Sequence, residues 1–455
     1  MKGFRLLALA AASALALLTS IGVSANVPLT LLCRDPYTNV TGQHATEVEP
    51  DTFSFGNTIV ATFQQGLFTD GGSSNVGWAT SSDGGSSWTC GSLPGTTVYA
   101  NPPGPFARDT DSSVAYDPKH GVWIIAQVPL NASSTGVTGA GVIVSRSTNG
   151  GTAWANPVTV VGPSSSIDSE KSWIVCDTWT SSPFYGDCYV IWDNRAAGDL
   201  IAIDTSTDGG LTWSPQATAA LNLDGTGVQP VVQPNGTVVV PFDTPNQTYL
   251  KAFTGGGGGW GSVVTIAKLQ THTEAGSLRS SPLPTAEVDG AGKAFVAWQD
   301  CRFERNCTAN DIVFSSSTNG TTWSAVARIP INPVGSGVDH FIPGLAVNKA
   351  TSGSSAHLGL YYYYYPVSNC TTSTCQLDVG FISSTNGGTS WSAATQLAGP
   401  VNLTWLANTT HGYMVGDYIS ADFNSGGTSH GAFAVATAPS SGVFNEAIYT
   451  NSTGL

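Results

Sequence analysis

The sequence predicts an all-β fold built from repeated four-stranded sheets. The prediction rests on a composition poor in charge, a recurring turn motif and strand-like segments between its copies. Charged residues make up 10% of the chain and hydrophobic residues 41%, which excludes intrinsic disorder. With 53 glycines and two methionines, the chain favours short strands and tight turns over helices. The net charge of −14 argues against nucleic acid as a partner, because phosphate binding requires a basic face.

The first 25 residues predict a secretory signal peptide. Lys2 and Arg5 precede an apolar run at 6–18, and the segment 23–25 resembles a small-residue cleavage site. A membrane anchor is the weaker alternative because the apolar run is short. We therefore expect a secreted, monomeric protein without a membrane span, in which residues 26–455 form one domain.

All eight cysteines follow this segment. An even number in an oxidising compartment favours disulfides, and no C-x2-C spacing suggests zinc. Eight cysteines allow 105 connectivities. Proximity in the sequence favours the pairs Cys176 with Cys188, Cys301 with Cys307 and Cys370 with Cys375, which leaves Cys33 with Cys90.

A turn motif recurs along the whole chain. Its tryptophans are 47 to 68 residues apart, and such regular self-similarity indicates a repeat architecture. The copies are Ser81–Trp88, Ser147–Trp154, Ser206–Trp213 and Ser384–Trp391, a shorter copy Ser317–Trp323 and a degenerate copy Thr254–Trp260.

The chemistry of the motif predicts a tight hairpin turn. Glycine after Asp or Asn adopts positive φ, the polar side chain accepts backbone N–H groups, and the tryptophan packs against the adjoining sheet. The Asp and Asn residues at this position of the motif are Asp83, Asn149, Asp208, Asn319 and Asn386.

Strand-like runs surround each turn and predict propeller blades. One unit contains 113–116, 122–126 and 142–144, and another contains 285–288, 294–298 and 312–314. Four strands per roughly 60 residues are typical of a blade. Three further strands follow Trp391, and Val27 to Leu32 can supply the outer strand that closes the ring. The sequence thus predicts a single β-propeller of seven blades, with six as the alternative.

The pattern S-x-D-x-G-x-x-W resembles the Asp-box, or BNR repeat, of the sialidase-like β-propellers. The resemblance covers nearly all of the chain after the predicted signal peptide. It implies that the motif turns lie away from the active site, and that their Asp and Asn residues are structural. The motif occurs in enzymes and in non-enzymes alike, so the resemblance implies the fold more specifically than the activity.

Charged residues cluster where the inner strands are predicted to begin and where the second strands end. We expect both places to face the mouth of the central channel. The strand entrances include 47–51, 108–111, 168–171, 278–280, 339–341 and 416–418, and the loops include 192–195 and 299–302.

The resemblance implies a first hypothesis, an exo-α-sialidase type of glycoside hydrolase acting on extracellular glycans. The family uses a tyrosine nucleophile, an aspartate acid/base and arginines that clamp the substrate carboxylate. The catalytic candidates are Asp109, Asp111, Asp417 and Tyr418. The substrate-binding candidates are Arg195, Arg279, Arg302, Asp339 and His340, with Arg108 in reserve. The Phe-Arg-Ile-Pro motif of the family is absent, since Phe341-Ile342-Pro343 lacks the arginine.

Two other hypotheses remain open. A different carbohydrate-active enzyme would use paired carboxylates, chosen from Asp109, Asp168, Asp339 and Asp417. A non-catalytic module would bind glycan or protein, and the run Tyr361 to Tyr365 is either a stacking platform for sugars or a buried strand.

Several candidates also have structural interpretations. Asp300 and Arg302 suit a salt bridge that braces a disulfide loop, and His340 suits a hydrogen-bonded core residue. No cofactor is predicted. A structural calcium at Asp109 and Asp111 is the one alternative, although the segment is too short for a calcium loop.

Overall fold

The computed structural model describes residues 27–134, 136–215, 217–218 and 222–455, so the predicted signal peptide lies outside the described residues. This part of the chain consists of strands joined by turns and five short 3-10 helices. None of those helices is long and apolar enough to cross a membrane. The helices are Arg195–Ala197, Ala275–Ser277, Arg305–Cys307, Gly353–Ser355 and Leu403–Trp405.

The strands are numbered in chain order. The first half of the chain contains β1 (Leu29–Leu31), β2 (Gln43–Phe55), β3 (Thr58–Leu67), β4 (Ser73–Ser81), β5 (Thr89–Ser92), β6 (Arg108–Asp117), β7 (Val122–Ser133), β8 (Gly136–Gly139), β9 (Val142–Ser147), β10 (Val158–Val161), β11 (Ser169–Cys176), β12 (Cys188–Asn194), β13 (Leu200–Ser206) and β14 (Ala217–Thr218). The second half contains β15 (Val231–Val232), β16 (Val238–Asp243), β17 (Tyr249–Gly255), β18 (Val264–Lys268), β19 (Thr285–Val288), β20 (Ala294–Asp300), β21 (Asp311–Ser317), β22 (Ala327–Arg328), β23 (Asp339–Val347), β24 (Leu358–Tyr365), β25 (Gln376–Ser384), β26 (Thr395–Asn402), β27 (Ala407–Thr409), β28 (Gly412–Met414), β29 (Ser420–Phe423), β30 (Ser429–Ala436) and β31 (Glu446–Asn451).

The sheets form a β-propeller, as the sequence predicts. Five of them are separate, antiparallel and four-stranded, in the orders β11 to β14, β15 to β18, β19 to β22, β23 to β26, and β29-β30-β31-β1. The inner strands lie side by side around a central channel in the order β29, β2, β6, β11, β15, β19 and β23. The all-β propeller is therefore confirmed.

The predicted number of blades is wrong. The described residues form five separate four-stranded blades, not seven or six, because the strands of the first two repeat units join in one nine-stranded sheet. The junction is a single pair between Ser73 on β4 and Asp109 on β6. Gly72 has a φ of 71°, and a Cβ there would lie 2.4 Å from the Leu130 side chain. Glycine thus allows the approach of the two units, a contact between distant segments that the motif spacing does not reveal.

The ring closes through its chain ends. Strand β1 pairs with β31, with Leu29 opposite Asn451, so the predicted closing strand is confirmed. The Glu47 carboxylate of β2 supports this seam by accepting hydrogen bonds from the Gln65 amide at 2.9 Å and from the backbone N–H of Ile448 at 3.2 Å. Closure removes the two strand edges that an open arrangement would expose.

The recurring turn is held by the same hydrogen bonds in the five copies that carry Asp or Asn. In the third copy, the Ser206 hydroxyl accepts the backbone N–H of Gly210 at 2.8 Å and donates to Asp208 at 2.9 Å. Asp208 also accepts the backbone N–H of Thr212 at 2.9 Å. The equivalent bonds of Asp83, Asn149, Asn319 and Asn386 repeat this arrangement. These side-chain bonds of the motif therefore join residues within four positions of each other, and bonds such as that of Thr80 to the Gly151 carbonyl attach the turn to a neighbouring unit.

Four disulfides cross-link the propeller. They join Cys33 to Cys90, Cys176 to Cys188, Cys301 to Cys307 and Cys370 to Cys375. The predicted disulfides are confirmed. The first of them fixes the segment after β1 to strand β5 of the first repeat unit, which adds a covalent link close to the ring seam.

The tyrosine run forms a buried strand, so its interpretation as an exposed sugar platform is wrong. Tyr361, Tyr362, Tyr363 and Tyr365 are each at most 2% exposed on β24. Both faces of this strand are covered, because Tyr361 and Tyr363 donate hydrogen bonds towards the closing blade while Tyr362 packs in a different core cluster. The run therefore serves packing between blades.

We expect Ser206→Ala to lower the free energy of unfolding by about 1–3 kcal/mol, because the buried backbone N–H of Gly210 loses its acceptor. Equilibrium urea unfolding followed by tryptophan fluorescence measures the change. The neighbouring exposed residue gives the control Thr207→Ala, with an expected effect within about 0.5 kcal/mol. Equal effects of the two substitutions would contradict the role assigned to the serine.

Candidate functional site

Four inner strands carry a two-for-one bulge at the same level of the channel. The pairing of β2, β6, β11 and β23 with their neighbours slips there. The first residue of each bulge has a φ between 48° and 54°, and these residues are Glu49, Asp111, Lys171 and Ile342. Non-glycine residues occupy this region at a cost of about 1–3 kcal/mol, and such positions concentrate at functional sites. The bulges bring three charged residues of adjacent units to one level.

A cavity of about 180 Å³ lies above this level. We call it the mouth cavity, and its charged lining residues are Glu49, Asp70, Asp111, Glu170, Arg195 and Arg279. Its walls come from distant parts of the chain, including the hairpin after β3 and the segment between β27 and β28. The fold thus assembles charged groups that are far apart in the sequence.

Glu49 is the most perturbed acid of the mouth cavity. Its side chain accepts a hydrogen bond from the Gln64 amide and one from the backbone N–H of Asp417 at 3.1 Å. The residue is 1% exposed. Burial, together with the nearby carboxylates of Asp417 and Asp111, raises the pKa of Glu49 to about 8. The side chain therefore holds a proton at neutral pH.

Asp417 lies beside Glu49 but has the opposite protonation behaviour. Its two carboxylate oxygens accept hydrogen bonds from Nε and Nη2 of Arg279, the first at 2.8 Å. Burial alone would raise the pKa of Asp417, but the Arg279 guanidinium lowers it below its ordinary value. Two adjacent carboxyl groups thus occupy different protonation states, as general acid and base chemistry requires.

Lys171 and Tyr418 lie beneath the mouth cavity. The Lys171 ammonium is 3.1 Å from the centre of the Tyr418 ring and 4.9 Å from that of Trp173. Burial lowers the pKa of Lys171. The Tyr418 hydroxyl donates to the backbone carbonyl of Ser112 at 3.2 Å, and burial raises its pKa well above the ordinary value. Tyr418 is thus held as a neutral, buried phenol, which is a poor nucleophile.

The two acids of the strand entrance at 108–111, Asp109 and Asp111, differ in their surroundings. Asp111 lines the mouth cavity and accepts the backbone N–H of Lys171 at 2.9 Å. Asp109 is 1% exposed, accepts the backbone N–H of Thr110 at 3.0 Å and has a pKa raised by burial. Within the described part of the chain, no group of three or more acidic, histidine or cysteine side chains is placed to hold a metal ion. The calcium alternative therefore gains no support.

The arginine candidates do not converge. Arg195 and Arg279 line the mouth cavity, and Arg195 is ion-paired with Glu170. Arg302 instead donates to the Asp300 carboxylate at 2.8 and 2.7 Å and to the carbonyl of Lys268 at 2.5 Å, beside the disulfide of its loop. The structural interpretation of Arg302 describes its position, so Arg195, Arg279 and Arg302 do not form a clamp. The reserve candidate Arg108 lies at the rim of the mouth cavity, where it is bonded to Asp70.

Asp339 and His340 also lie outside the mouth cavity. Asp339 accepts the backbone N–H of Asn310 at 2.7 Å and contacts the His272 ring at 3.1 Å. His340 contacts the Asn310 carbonyl and the Asn332 amide, and burial lowers its pKa to about 4. Asp168 accepts the backbone N–H of Gly139 at 2.7 Å and is likewise not part of the cavity wall. The side chains of Asp168, Asp339 and His340 are therefore not part of the cavity lining.

The sequence did not single out Glu49 or Lys171. Both residues fall within strand entrances that the sequence assigns to the channel mouth. What selects them is the bulge, since it determines which residue of each entrance points to the channel. A proline or serine follows the first bulge residue in each of the four strands, and this is the one local signal that the sequence offers.

The comparisons with known proteins show a shared fold and no more. No family model and no curated protein sequence matches the chain. Its structure is similar to that of a protein of unknown function from Dyadobacter fermentans, with a TM-score of 0.50 and 15% identity over 80% of this chain and 100% of that one. It is also similar to a polysaccharide lyase, an ulvan lyase bound to -[GlcA(1-4)Rha3S]-, with a TM-score of 0.51 and 11% identity over 93% and 95% of the two chains.

An intramolecular trans-sialidase from Ruminococcus gnavus is similar at a TM-score of 0.48 and 11% identity, over 74% of this chain and 92% of that one. The similarities to the Dyadobacter protein and to the ulvan lyase show the fold alone, and the sheets of this chain define its class as a β-propeller. Membership of the sialidase-like Asp-box family stays a prediction from the sequence.

We expect Arg279→Gln to destabilise the protein by about 3 kcal/mol, because Asp417 loses its counter-charge in a partly buried position. The double variant Arg279→Gln/Asp417→Asn should recover most of this loss. Equilibrium urea unfolding measures both. Arg195→Gln is the control, since Arg195 is half exposed and its ion pair contributes at most about 1 kcal/mol. An equal loss in the single and double variants would contradict the pairing argument.

We expect the protein to be more stable at pH 5.5 than at pH 8.5. Burial raises the pKa of Glu47, Glu49 and Glu274 to about 8 from an ordinary 4.5. Between these values the folded chain keeps protons that the unfolded chain releases, so stability falls as pH rises through this window. The thermal midpoint measured by calorimetry should drop by roughly 5–10 °C.

The control for this pH dependence is Glu274→Gln, because the amide keeps an acceptor for Gln299 and Asn310 and does not titrate. It should reduce the slope by at most about 1.4 kcal/mol per pH unit. A midpoint that rises between pH 5.5 and pH 8.5 would refute the assignment of protonated buried acids.

Proposed function

We propose that this chain is a secreted, carbohydrate-active β-propeller that cleaves glycosidic bonds of extracellular glycans in its mouth cavity. The observation that carries the proposal is the protonated carboxyl of Glu49 in a cavity that the carboxylate of Asp111 also lines, with the Asp417–Arg279 ion pair beside Glu49. Four disulfides support the assignment to an oxidising, extracellular compartment.

Glu49 is the proton donor in this proposal. A glycosidic oxygen leaves readily only when an acid protonates it, and a carboxyl group with a pKa near 8 retains its proton at neutral pH. The bond from the backbone N–H of Asp417 fixes the Glu49 carboxyl relative to the cavity. After proton transfer, the resulting carboxylate is stabilised by the positive charges of Arg279 and Lys171, which both act on Glu49.

Asp111 is the second carboxylate of the reaction. It lines the same cavity, and the backbone N–H of Lys171 holds one of its oxygens. Attack on the sugar by this carboxylate, or by a water molecule that it activates, completes cleavage of the bond. Asp417 engages Arg279 with both oxygens and therefore contributes a fixed negative charge.

The ulvan lyase with the same fold supports carbohydrate as the class of substrate, since its structure contains a bound saccharide. The narrower exo-α-sialidase hypothesis requires an arginine clamp and a reactive tyrosine. Arg302 is committed to Asp300, and Tyr418 is buried with its hydroxyl bonded to Ser112. These positions favour the hypothesis of paired carboxylates.

Non-catalytic glycan binding is the second candidate function. It is favoured by the low exposure of Glu49, which is 1% exposed and has both carboxyl oxygens engaged in hydrogen bonds. Under this candidate the bulges shape a binding site, and no bond in the glycan is broken.

We expect Glu49→Gln to lower the rate of glycan cleavage at least about 100-fold, because the amide cannot donate the required proton. Release of reducing ends and of unsaturated sugars from a panel of polysaccharides measures hydrolysis and elimination separately. The matched control is Glu274→Gln, since Glu274 is also buried with a pKa of about 8 but does not line the cavity. Unchanged cleavage by the Glu49 variant would exclude the proposed role, and glycan binding without cleavage would establish the second candidate.

A further inference from the structure

We infer that the mouth cavity selects uncharged glycans over glycans that carry carboxylate or sulfate groups. The inference rests on the proposed function and narrows its substrate class. It follows from how the cationic groups of the cavity are already engaged by the chain itself.

Each guanidinium at the cavity or its rim is bonded to a carboxylate of the same chain. Arg279 pairs with Asp417, and Arg195 pairs with Glu170. At the rim, Arg108 donates to Asp70 at 2.6 Å and to the carbonyl of Gly71 at 2.7 Å. The arginines therefore act as counter-charges within the protein, and an anionic ligand has to compete with these carboxylates for them.

The remaining charges also compensate each other. Asp111 carries a negative charge close to the positive charge of Lys171, and each acts on Glu49. Glu49 itself is protonated at neutral pH. Among the described residues at this level, the four carboxylates Asp70, Asp111, Glu170 and Asp417 face the four cations Arg108, Lys171, Arg195 and Arg279. The cavity offers no net positive charge.

An anionic sugar would have to displace one of these carboxylates. At Arg279 it would leave Asp417 without its counter-charge in a partly buried position, which is strongly unfavourable. At Arg195 it would meet the Glu170 carboxylate beside it and the Asp111 carboxylate in the same wall. Like charges at such distances disfavour the wrong ligand.

The uncharged lining suits a neutral sugar. Five threonines border the cavity, and Thr69, Thr138 and Thr410 among them are exposed, while the buried side chains of Phe68, Leu130 and Met414 form apolar parts of its wall. The threonines are Thr69, Thr110, Thr138, Thr409 and Thr410. Hydroxyl groups and short apolar faces are the recognition elements of a neutral hexose or pentose.

The test compares ligands that differ only in charge. The acidic probes are oligogalacturonate and sialyllactose, and the methyl ester of each is its uncharged counterpart. Neutral xylo-, gluco-, manno- and galacto-oligosaccharides complete the panel. Binding of each probe is measured by titration calorimetry at constant ionic strength. We expect neutral probes, including at least one ester, to bind about tenfold or more tightly than the acids. Tighter binding of either acid than of its ester would overturn the inference and leave the proposed function standing. Absence of binding to every probe would overturn both.

A substitution at the exposed Arg195 pair provides a gain-of-function test. Glu170→Gln frees the Arg195 guanidinium and should raise the affinity for oligogalacturonate relative to its ester by about tenfold. Glu287→Gln is the control, because it frees Lys349 from a comparable ion pair that does not line the mouth cavity. Equal acid affinity in the Glu170 variant and the unmodified protein would overturn the compensation argument.

Discussion

Pairing of the first described strand with the last one is the constraint on which the rest of this structure depends. Because β1 completes the sheet of β31, the inner strands are forced into a ring, and their entrances face a common centre. The ring brings Glu49 next to Asp417 and Arg279 next to Asp417, although the members of these pairs are 368 and 138 residues apart. Without closure the mouth cavity would lose one wall and the buried carboxyl of Glu49 would meet water.

Closure of the ring also buries several acidic side chains. Glu47 of β2 bonds to the backbone of β31, Glu446 lies on β31 itself, and Glu49 lies on β2 beside Asp417. Burial raises the pKa of each of these three glutamates. A protonated carboxyl group combines a donor with an acceptor, so it can replace an amide at such a seam and still respond to its surroundings. Arg279 lowers the pKa of Asp417, the neighbour of Glu49, and that contrast between neighbours distinguishes the mouth cavity from the structural acids around it.

The features that could be predicted from the sequence are those held by interactions between residues close together in the chain. The recurring turns were predictable because Ser206 and Asp208 bond within four residues of themselves, and Arg302 pairs with an acid two residues away. The blade count failed at one bridge between Ser73 and Asp109, and the site was only partly predicted because its residues depend on bulges. The tyrosine run was ambiguous, since strand alternation indicates which residues share a face but does not determine whether both faces are covered.

The seam has one more consequence. Since the backbone N–H of Ser452 donates to the carbonyl of Pro28 at 2.8 Å, the two ends of the described chain are neighbours. The closed ring therefore does not require that synthesis begin at the present first repeat. A circularly permuted gene, opened at an exposed turn such as that of Thr207 and joined across the present ends, encodes the same ring of strands. The cut would then move away from the seam that Glu47 bridges through the backbone of Ile448, which separates the mechanical role of the seam from its chemistry.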